Sequence, residues 1–170
     1  CATCDGPFFK GKNVSVIGGS DTAAKEALYL SQVAEKVSIL YRRDEIRPEP
    51  INKKRVEENS KIEVIPRTTI TSINGSQKVE SVTLNNGKIF PIDAVFIEIG
   101  ADPRSKLAKA IGVALNEKEE IIVDEQMQTN IPGFFAAGDV VNRREKQVVV
   151  AAGHGAIAAF SVREYVESIK

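Results

Sequence analysis

Tryptophan is absent, histidine and methionine occur once each, and only two cysteines are present. One histidine and two cysteines fall short of the four ligands of a closed zinc site, so a structural zinc module would need a second chain. The same scarcity excludes a secreted disulfide scaffold, which spreads several cysteines along its length. No long apolar run exists. Stretches such as residues 148–153 fall far below the roughly 18–20 residues that cross a bilayer. Charge of one sign is not in excess either: 23 basic and 23 acidic side chains balance, against the basic surplus of a dedicated nucleic-acid binder. No basic stretch followed by an apolar core opens the chain, so no secretory signal is visible. The first residue is Cys1 and the single methionine is Met127, from which we expect a processed or excised piece of a longer protein. The 170 residues suffice for one ordinary domain, or for one domain and part of another.

Both cysteines fall in Cys1-Ala2-Thr3-Cys4, followed by Asp5. Two intervening residues let the sulfurs close a small ring, so the pair reads as a redox dithiol, with half of a metal site or a chemically idle pair as alternatives. Asp5 could donate or accept the proton that thiol–disulfide exchange moves, or could be turn chemistry leading into Gly6-Pro7.

After Gly11 the pattern becomes strand, glycine turn, helix, strand. Residues 13–17 read as a buried strand, Gly18-Gly19 as the turn, residues 21–33 as a helix and residues 37–41 as a second strand. In that context Gly18-Gly19-Ser20-Asp21-Thr22-Ala23 is an imperfect dinucleotide fingerprint in which Ser20 stands at the middle glycine. At the end of the second strand an NAD site wants a carboxylate for the ribose 2′-hydroxyl. Here Tyr41-Arg42-Arg43 and Arg47 follow instead, and guanidinium forks suit a 2′-phosphate, which points to NADPH. The alternative is that Asp44 and Glu45 pair with those arginines as surface ion pairs. Residues 62–65, 68–74, 79–84 and 93–99 read as further strands, the last ending at Gly100, with Asn86-Gly87 as a hairpin turn. Residues 53–58 read as a solvated helix.

Past residue 102 the chain reads as loop and helix, then a strand at 121–123 and a short apolar strand ending in Gly138-Asp139, whose carboxylate can accept bonds from sugar or ribityl hydroxyls. A helix from Val148 to Ile169 follows, and its start near Lys146-Gln147-Val148 would favour an anion. His154 lies within that helix and reads as a packed or surface residue before a catalyst.

With these motifs together, the chain resembles the low-molecular-weight thioredoxin reductase family across essentially its whole length. The resemblance is carried by Cys-Ala-Thr-Cys-Asp-Gly, Gly-Gly-x-x-Thr-Ala, Arg42-Arg43-Asp44 and Ile-Pro-Gly-x-x-Ala-x-Gly-Asp-Val. It implies an α/β fold: a Rossmann-like NADPH-binding domain at residues 1–101, with a parallel sheet and an antiparallel β-meander. The closing part of an FAD-binding domain would follow at residues 102–170. It implies that NADPH reduces FAD, that the flavin reduces the Cys1–Cys4 disulfide with Asp5 as proton donor, and that the dithiol reduces thioredoxin or a similar protein. Gly18, Gly19, Ser20, Asp21, Thr22, Arg42, Arg43, Arg47 and Gly100 would then serve NADPH. Gly138, Asp139, Lys146, Gln147 and Val148 would serve FAD. A cytoplasmic homodimer without metal is implied as well. Tyr41 replaces the family's histidine, Ser20 replaces its glycine, and the family's N-terminal FAD-binding segment has no counterpart before Cys1. Asp5-Gly6-Pro7 is also similar to the flavoprotein subunit of alkyl hydroperoxide reductase. An NADPH-binding module without turnover of its own is the remaining alternative.

Overall fold

A computed structural model describes all residues, 1–170, as two compact units, Cys1–Gly100 and Ala101–Lys170. In the first unit the strands β1 (Asn13–Ile17), β2 (Lys36–Leu40), β3 (Ile62–Ile65) and β7 (Ala94–Ile97) form a parallel sheet in the order β3-β2-β1-β7. A parallel sheet is covered on both faces, and these strands read accordingly as nearly continuous Val and Ile. Val14, Val16, Val37 and Ile39 point to one face and pack against Ala23, Ala24, Ala27 and Leu30 of helix α2 (Asp21–Leu30). Three alanines on that stripe let the helix lie close to the sheet. Leu30 is fully buried there, worth about 2 kcal/mol of transfer free energy. Leu40, Ile17 and Val95 face the other way, onto Val82, Leu84 and Phe90. These belong to an antiparallel sheet of β4 (Ile70–Asn74), β5 (Ser81–Leu84) and β6 (Ile89–Pro91).

The glycine turn, both flanking strands and the hairpin at Asn86-Gly87 lie where the sequence pattern put them. Gly87 takes φ of 79°, as such a turn requires. The helix expected over 21–33 stops at Leu30, where Val33 and Ala34 fold back to bond the Leu30 carbonyl. Helix α3 (Pro50–Glu57) begins at a proline, three residues ahead of the expected stretch. The dithiol segment, for which the sequence offered only turn chemistry at Asp5-Gly6-Pro7 as an alternative, is helical: α1 (Ala2–Asp5) runs into a 3₁₀ turn at Gly6–Phe9. Gly6 is buried, and a Cβ on it would stand 3.1 Å from the Leu30 side chain and 3.4 Å from the Tyr29 ring, so glycine lets that segment dock closely on α2.

The second unit has a short helix, α4 (Lys106–Ala110), and a long one, α5 (Val148–Ser168), around a core of Val113, Ile121, Val123, Met127 and Val141. The two strands expected here form only isolated bridges, Ile121 to Leu115 and Val141, and Phe135 to Gln128. The apolar runs are real, but no neighbouring strand within the unit extends the pairing. No helix is long and apolar enough to cross a membrane.

Candidate functional site

At the carboxyl ends of β1, β2 and β7, where parallel α/β sheets bind ligands, lies a cleft of about 1220 Å³. Gly18, Gly19, Ser20, Thr22, Arg42, Arg47 and Gly100 line it, together with Tyr41, Thr68–Ile73, Ile97, Glu98 and Ile99. The glycines are there because nothing larger fits. Gly18 has φ of 148°, and a Cβ on it would stand 2.2 Å from the Glu98 carbonyl oxygen. A Cβ on Gly19 would stand 2.4 Å from the buried Tyr41 ring, and the Gly19 carbonyl accepts the Arg47 N–H at 2.7 Å. The loop is thus braced from β2 and β7 while its open side is bare backbone, a cradle a phosphate can approach.

Ser20 caps α2: its Oγ accepts the Ala23 N–H at 3.4 Å. The serine therefore spends on the helix one of the N–H groups that a glycine there would leave to a ligand. Asp21 does not line the cleft. Its carboxylate accepts from the Glu49 N–H at 3.0 Å and the Asn52 amide at 2.7 Å and pairs with Lys25 at 2.6 Å, which ties α2 to α3. The Lys25 bond, then the Asn52 and Glu49 bonds, hold its pKa down at about 2. A depressed carboxyl contributes stability that is complete above its unfolded value near 4 and is lost as pH falls toward 2. Asp21→Asn should therefore flatten the fall in melting temperature between pH 4 and pH 2, as thermal scans by circular dichroism would record. An equally steep fall in the variant would leave the staple without electrostatic weight.

Arg42 and Arg47 face the cleft, and Arg43 lies outside it. The two carboxylates that could have neutralised this group are occupied elsewhere: Asp44 pairs with Arg67, and Glu45 pairs with Lys53 at 3.3 Å. Arg67 sits at φ of 52°, in the loop after β3, which brings it back beside residues 43 and 44. Two guanidiniums beside a glycine cradle suit a dinucleotide with an extra phosphate. The run Thr68-Thr69-Ile70-Thr71-Ser72 adds hydroxyls and an apolar wall to the cleft. Sequence reading missed it as ligand-facing; its only signal was an unusual density of hydroxyl side chains.

Cys1, Cys4 and Asp5 are exposed, and the Cys4 and Asp5 N–H groups both bond the Cys1 carbonyl. That single helical turn places the two sulfur-bearing residues on adjacent corners, with the Asp5 carboxyl next in sequence to Cys4. No group of three or more His, Cys, Asp or Glu side chains gathers in a metal-holding arrangement.

In the second unit Gly138 takes φ of 84°, Asp139 is exposed, and Gln147 is the N-cap residue of α5. Val148 is 86% exposed at the start of that helix. Lys146 is already engaged: its ammonium donates to the Asp139 and Val141 carbonyls at 2.8 and 2.6 Å and pairs with Glu120 at 2.9 Å. The Asn116 amide first, then Lys146, hold the Glu120 carboxyl below its usual range. Lys146 thus closes the 139–146 loop on itself. The exposed Asp139 carboxylate and the α5 N-terminus remain the groups that fit a hydroxyl-bearing or anionic ligand. His154 is half-buried, and its Nδ1 has no hydrogen-bond partner.

A parallel sheet with a glycine cradle at its carboxyl edge, a covering antiparallel sheet and a Cys1–Cys4 segment docked on the first crossover helix define a Rossmann-like α/β protein. The chain belongs to the pyridine nucleotide-disulphide oxidoreductase family, whose pattern it matches over residues 1–155. It is 40% identical to the thioredoxin reductase of Listeria innocua serovar 6a and 41% identical to that of Bacillus subtilis strain 168. Both matches cover all of this chain and 55% of the relative. The crystal structure of thioredoxin reductase from Streptococcus pyogenes MGAS5005 superposes with a TM-score of 0.88 at 37% identity, over 99% of this chain and 56% of that one. A ferredoxin-flavin thioredoxin reductase from Clostridium acetobutylicum superposes with a TM-score of 0.51 at 32% identity, over 99% of this chain and 54% of that one. The chain spans about half the length of the curated relatives it matches.

Proposed function

We propose that this chain is the NADPH-binding and dithiol-bearing part of an FAD-dependent disulfide reductase that reduces thioredoxin or a thioredoxin-like protein. Residues 1–101 are the NADPH domain in this reading, and residues 102–170 contribute to the FAD domain. The observation that carries it is the pair of guanidiniums, Arg42 and Arg47, facing the glycine cradle while Asp44 and Glu45 are paired elsewhere. The fold alone does not choose the electron donor, since a ferredoxin-flavin reductase shares it. The arginines do. Their forks bind the 2′-phosphate, Gly18, Gly19 and the α2 N-terminus receive the pyrophosphate, and the Thr68–Ser72 wall encloses the nucleoside. When bound, NADPH and FAD would supply the hydride and the electron pair needed to reduce the Cys1–Cys4 disulfide.

The chain's own residues perform the outgoing step. One thiolate of the pair attacks the partner's disulfide, forming a mixed disulfide and releasing the partner's other sulfur, which takes up a proton. The second thiolate then breaks the mixed bond, closing Cys1–Cys4 and freeing the partner's remaining thiol. Asp5 beside Cys4 is the proton donor and acceptor. Asp139 and the α5 N-terminus hold FAD in this reading. Reversible thiol chemistry of this kind belongs in a reducing, cytoplasmic compartment. A homodimer is the assembly expected with it.

Calorimetric titration of this chain with NADPH and NADH tests the donor. NADPH should bind more tightly, and Arg42→Ala should weaken NADPH by about 10- to 100-fold, the weight of a lost charge-assisted bond, with little change for NADH. Equal losses for the two would remove the 2′-phosphate reading.

A further inference from the structure

Gly18 and Gly19 are glycines for different reasons. Gly18 needs its φ of 148°, whereas Gly19 is not among the positive-φ residues, so its φ does not call for glycine. What demands glycine there is the Tyr41 ring. A Cβ on Gly19 would stand 2.4 Å from Tyr41 Cε2 and 2.5 Å from both Cδ2 and Cζ. Near-equal distances to three successive ring atoms put that point over the face of the ring, because an approach within the ring plane would leave the outer two atoms clearly farther than the middle one. The Gly19 Cα therefore sits on the ring face, with one of its hydrogens aimed into it. Tyr41 is itself well fixed. It is 8% exposed in the core, its N–H donates to the Ile65 carbonyl at 3.1 Å, and its carbonyl accepts the Thr68 N–H at 2.9 Å.

The Gly19–Ser20 peptide is held from a second side. Its carbonyl accepts the Arg47 N–H at 2.7 Å, and because the peptide is trans its Ser20 N–H points the opposite way. Ser20 lines the cleft, as does Tyr41. We propose that Tyr41 is a positioning residue for the phosphate cradle: its ring face seats Gly19 and so fixes where the Gly19–Ser20 peptide meets a pyrophosphate. The ring occupies the room that a Cβ on residue 19 would take, so Tyr41 and Gly19 work as a matched pair. This inference rests on the nucleotide reading above and deepens it. The pyrophosphate is common to NADPH and NADH, so Tyr41 governs affinity for both, whereas Arg42 reads the 2′-phosphate that only NADPH carries.

The test has two arms, both on the 170-residue chain. In the NMR spectrum of the unliganded wild type, one Gly19 Hα should resonate well upfield of ordinary glycine, shielded by the ring beneath it. Tyr41→Phe should keep that shift and Tyr41→Leu should lose it. In calorimetric titrations Tyr41→Phe should bind both nucleotides within about twofold of the wild type. Tyr41→Leu, shown by circular dichroism to be folded at the titration temperature, should weaken NADPH and NADH alike. The loss should be about tenfold, the weight of one misaligned charge-assisted hydrogen bond. Tyr41→Met is a second variant without a ring, with the same expected losses should the leucine variant not fold. An unshifted Gly19 Hα in the wild type, a loss confined to NADPH, or an equal loss in Tyr41→Phe would overturn the proposal. A role in stability alone would lower the melting temperature of the leucine variant and leave the affinities of the folded chain unchanged, which overturns it too. A wild type that binds neither nucleotide sinks the functional reading together with this one. Nucleotide binding in the wild type with any of the contrary results sinks this one alone.

Discussion

Replacing either cysteine of the opening pair by serine should abolish reduction of a thioredoxin-like disulfide. The chain, first reduced with a small dithiol and freed of it, is mixed with oxidised thioredoxin, and the protein thiols formed are counted. The unaltered pair should deliver two electrons and close on itself, because the second sulfur is held one helical turn from the first. Cys1→Ser and Cys4→Ser each break that cycle, since a hydroxyl neither attacks a disulfide at neutral pH nor forms a stable bond to sulfur. Release of reduced thioredoxin should fall by about a thousandfold or more, as expected when a member of a cooperating pair is removed. The two variants also differ usefully. The one that still forms a covalent adduct retains the attacking sulfur, and the one that does not has lost it. Thioredoxin reduction that survives in both would end the dithiol reading, whatever the nucleotide cleft binds.

Gly18→Ala should strongly destabilise the first unit. The added methyl would meet the Glu98 carbonyl oxygen at 2.2 Å, its carbon at 3.0 Å and the Ala23 Cβ at 3.2 Å, on a backbone at φ of 148°. Neither neighbour can give way alone. The Glu98 carbonyl follows β7, whose pairing with β1 runs from Val14–Ala94 to Ile17–Ile97, and Ala23 is buried on the sheet-facing side of α2. Relief requires parting β1 from β7 or lifting the helix. Strain and lost packing together should cost about 3 kcal/mol, which for a chain of this size lowers the melting temperature by about 6–12 °C. Gly87→Ala is the control: φ is 79° there, but nothing stands within 4 Å of the added methyl, so only the backbone penalty of about 1 kcal/mol applies. Equal melting temperatures for the two variants would show that the Gly18 turn is not wedged against β7. In a folded Gly18→Ala protein the deformed cradle should also weaken NADPH, by at least about tenfold.

The same two regions show how far the sequence could be read. Gly18-Gly19 between two Val- and Ile-rich runs announces its turn because the signal is local: only glycine tolerates the dihedral, and the flanking residues carry the strand preference themselves. The helical form of Cys1–Phe9 was not legible, since Gly6-Pro7 is equally good turn chemistry. What decides is the docking of buried Ala2 and Gly6 on α2, more than 20 residues away. Strands expected around residues 121–123 and 134–137 carry the right apolar runs but find only single bridging partners. A strand is defined by its neighbour, and a run of side chains does not supply one.

The sequence by itself determined the parallel-sheet architecture, the dithiol, the glycine cradle and the arginines at the end of β2, because each is written in residues adjacent along the chain. Tertiary structure alone decided which charges are available. Asp44 is drawn to Arg67 and Glu45 to Lys53, so Arg42 and Arg47 keep their positive charge for the cleft. Asp21 is drawn to Asn52 and Lys146 to Glu120, which commits two expected ligand contacts to holding the fold. Ionic and hydrogen-bonding partners act over a few ångströms of space, and only the folded chain says which side chains come that close.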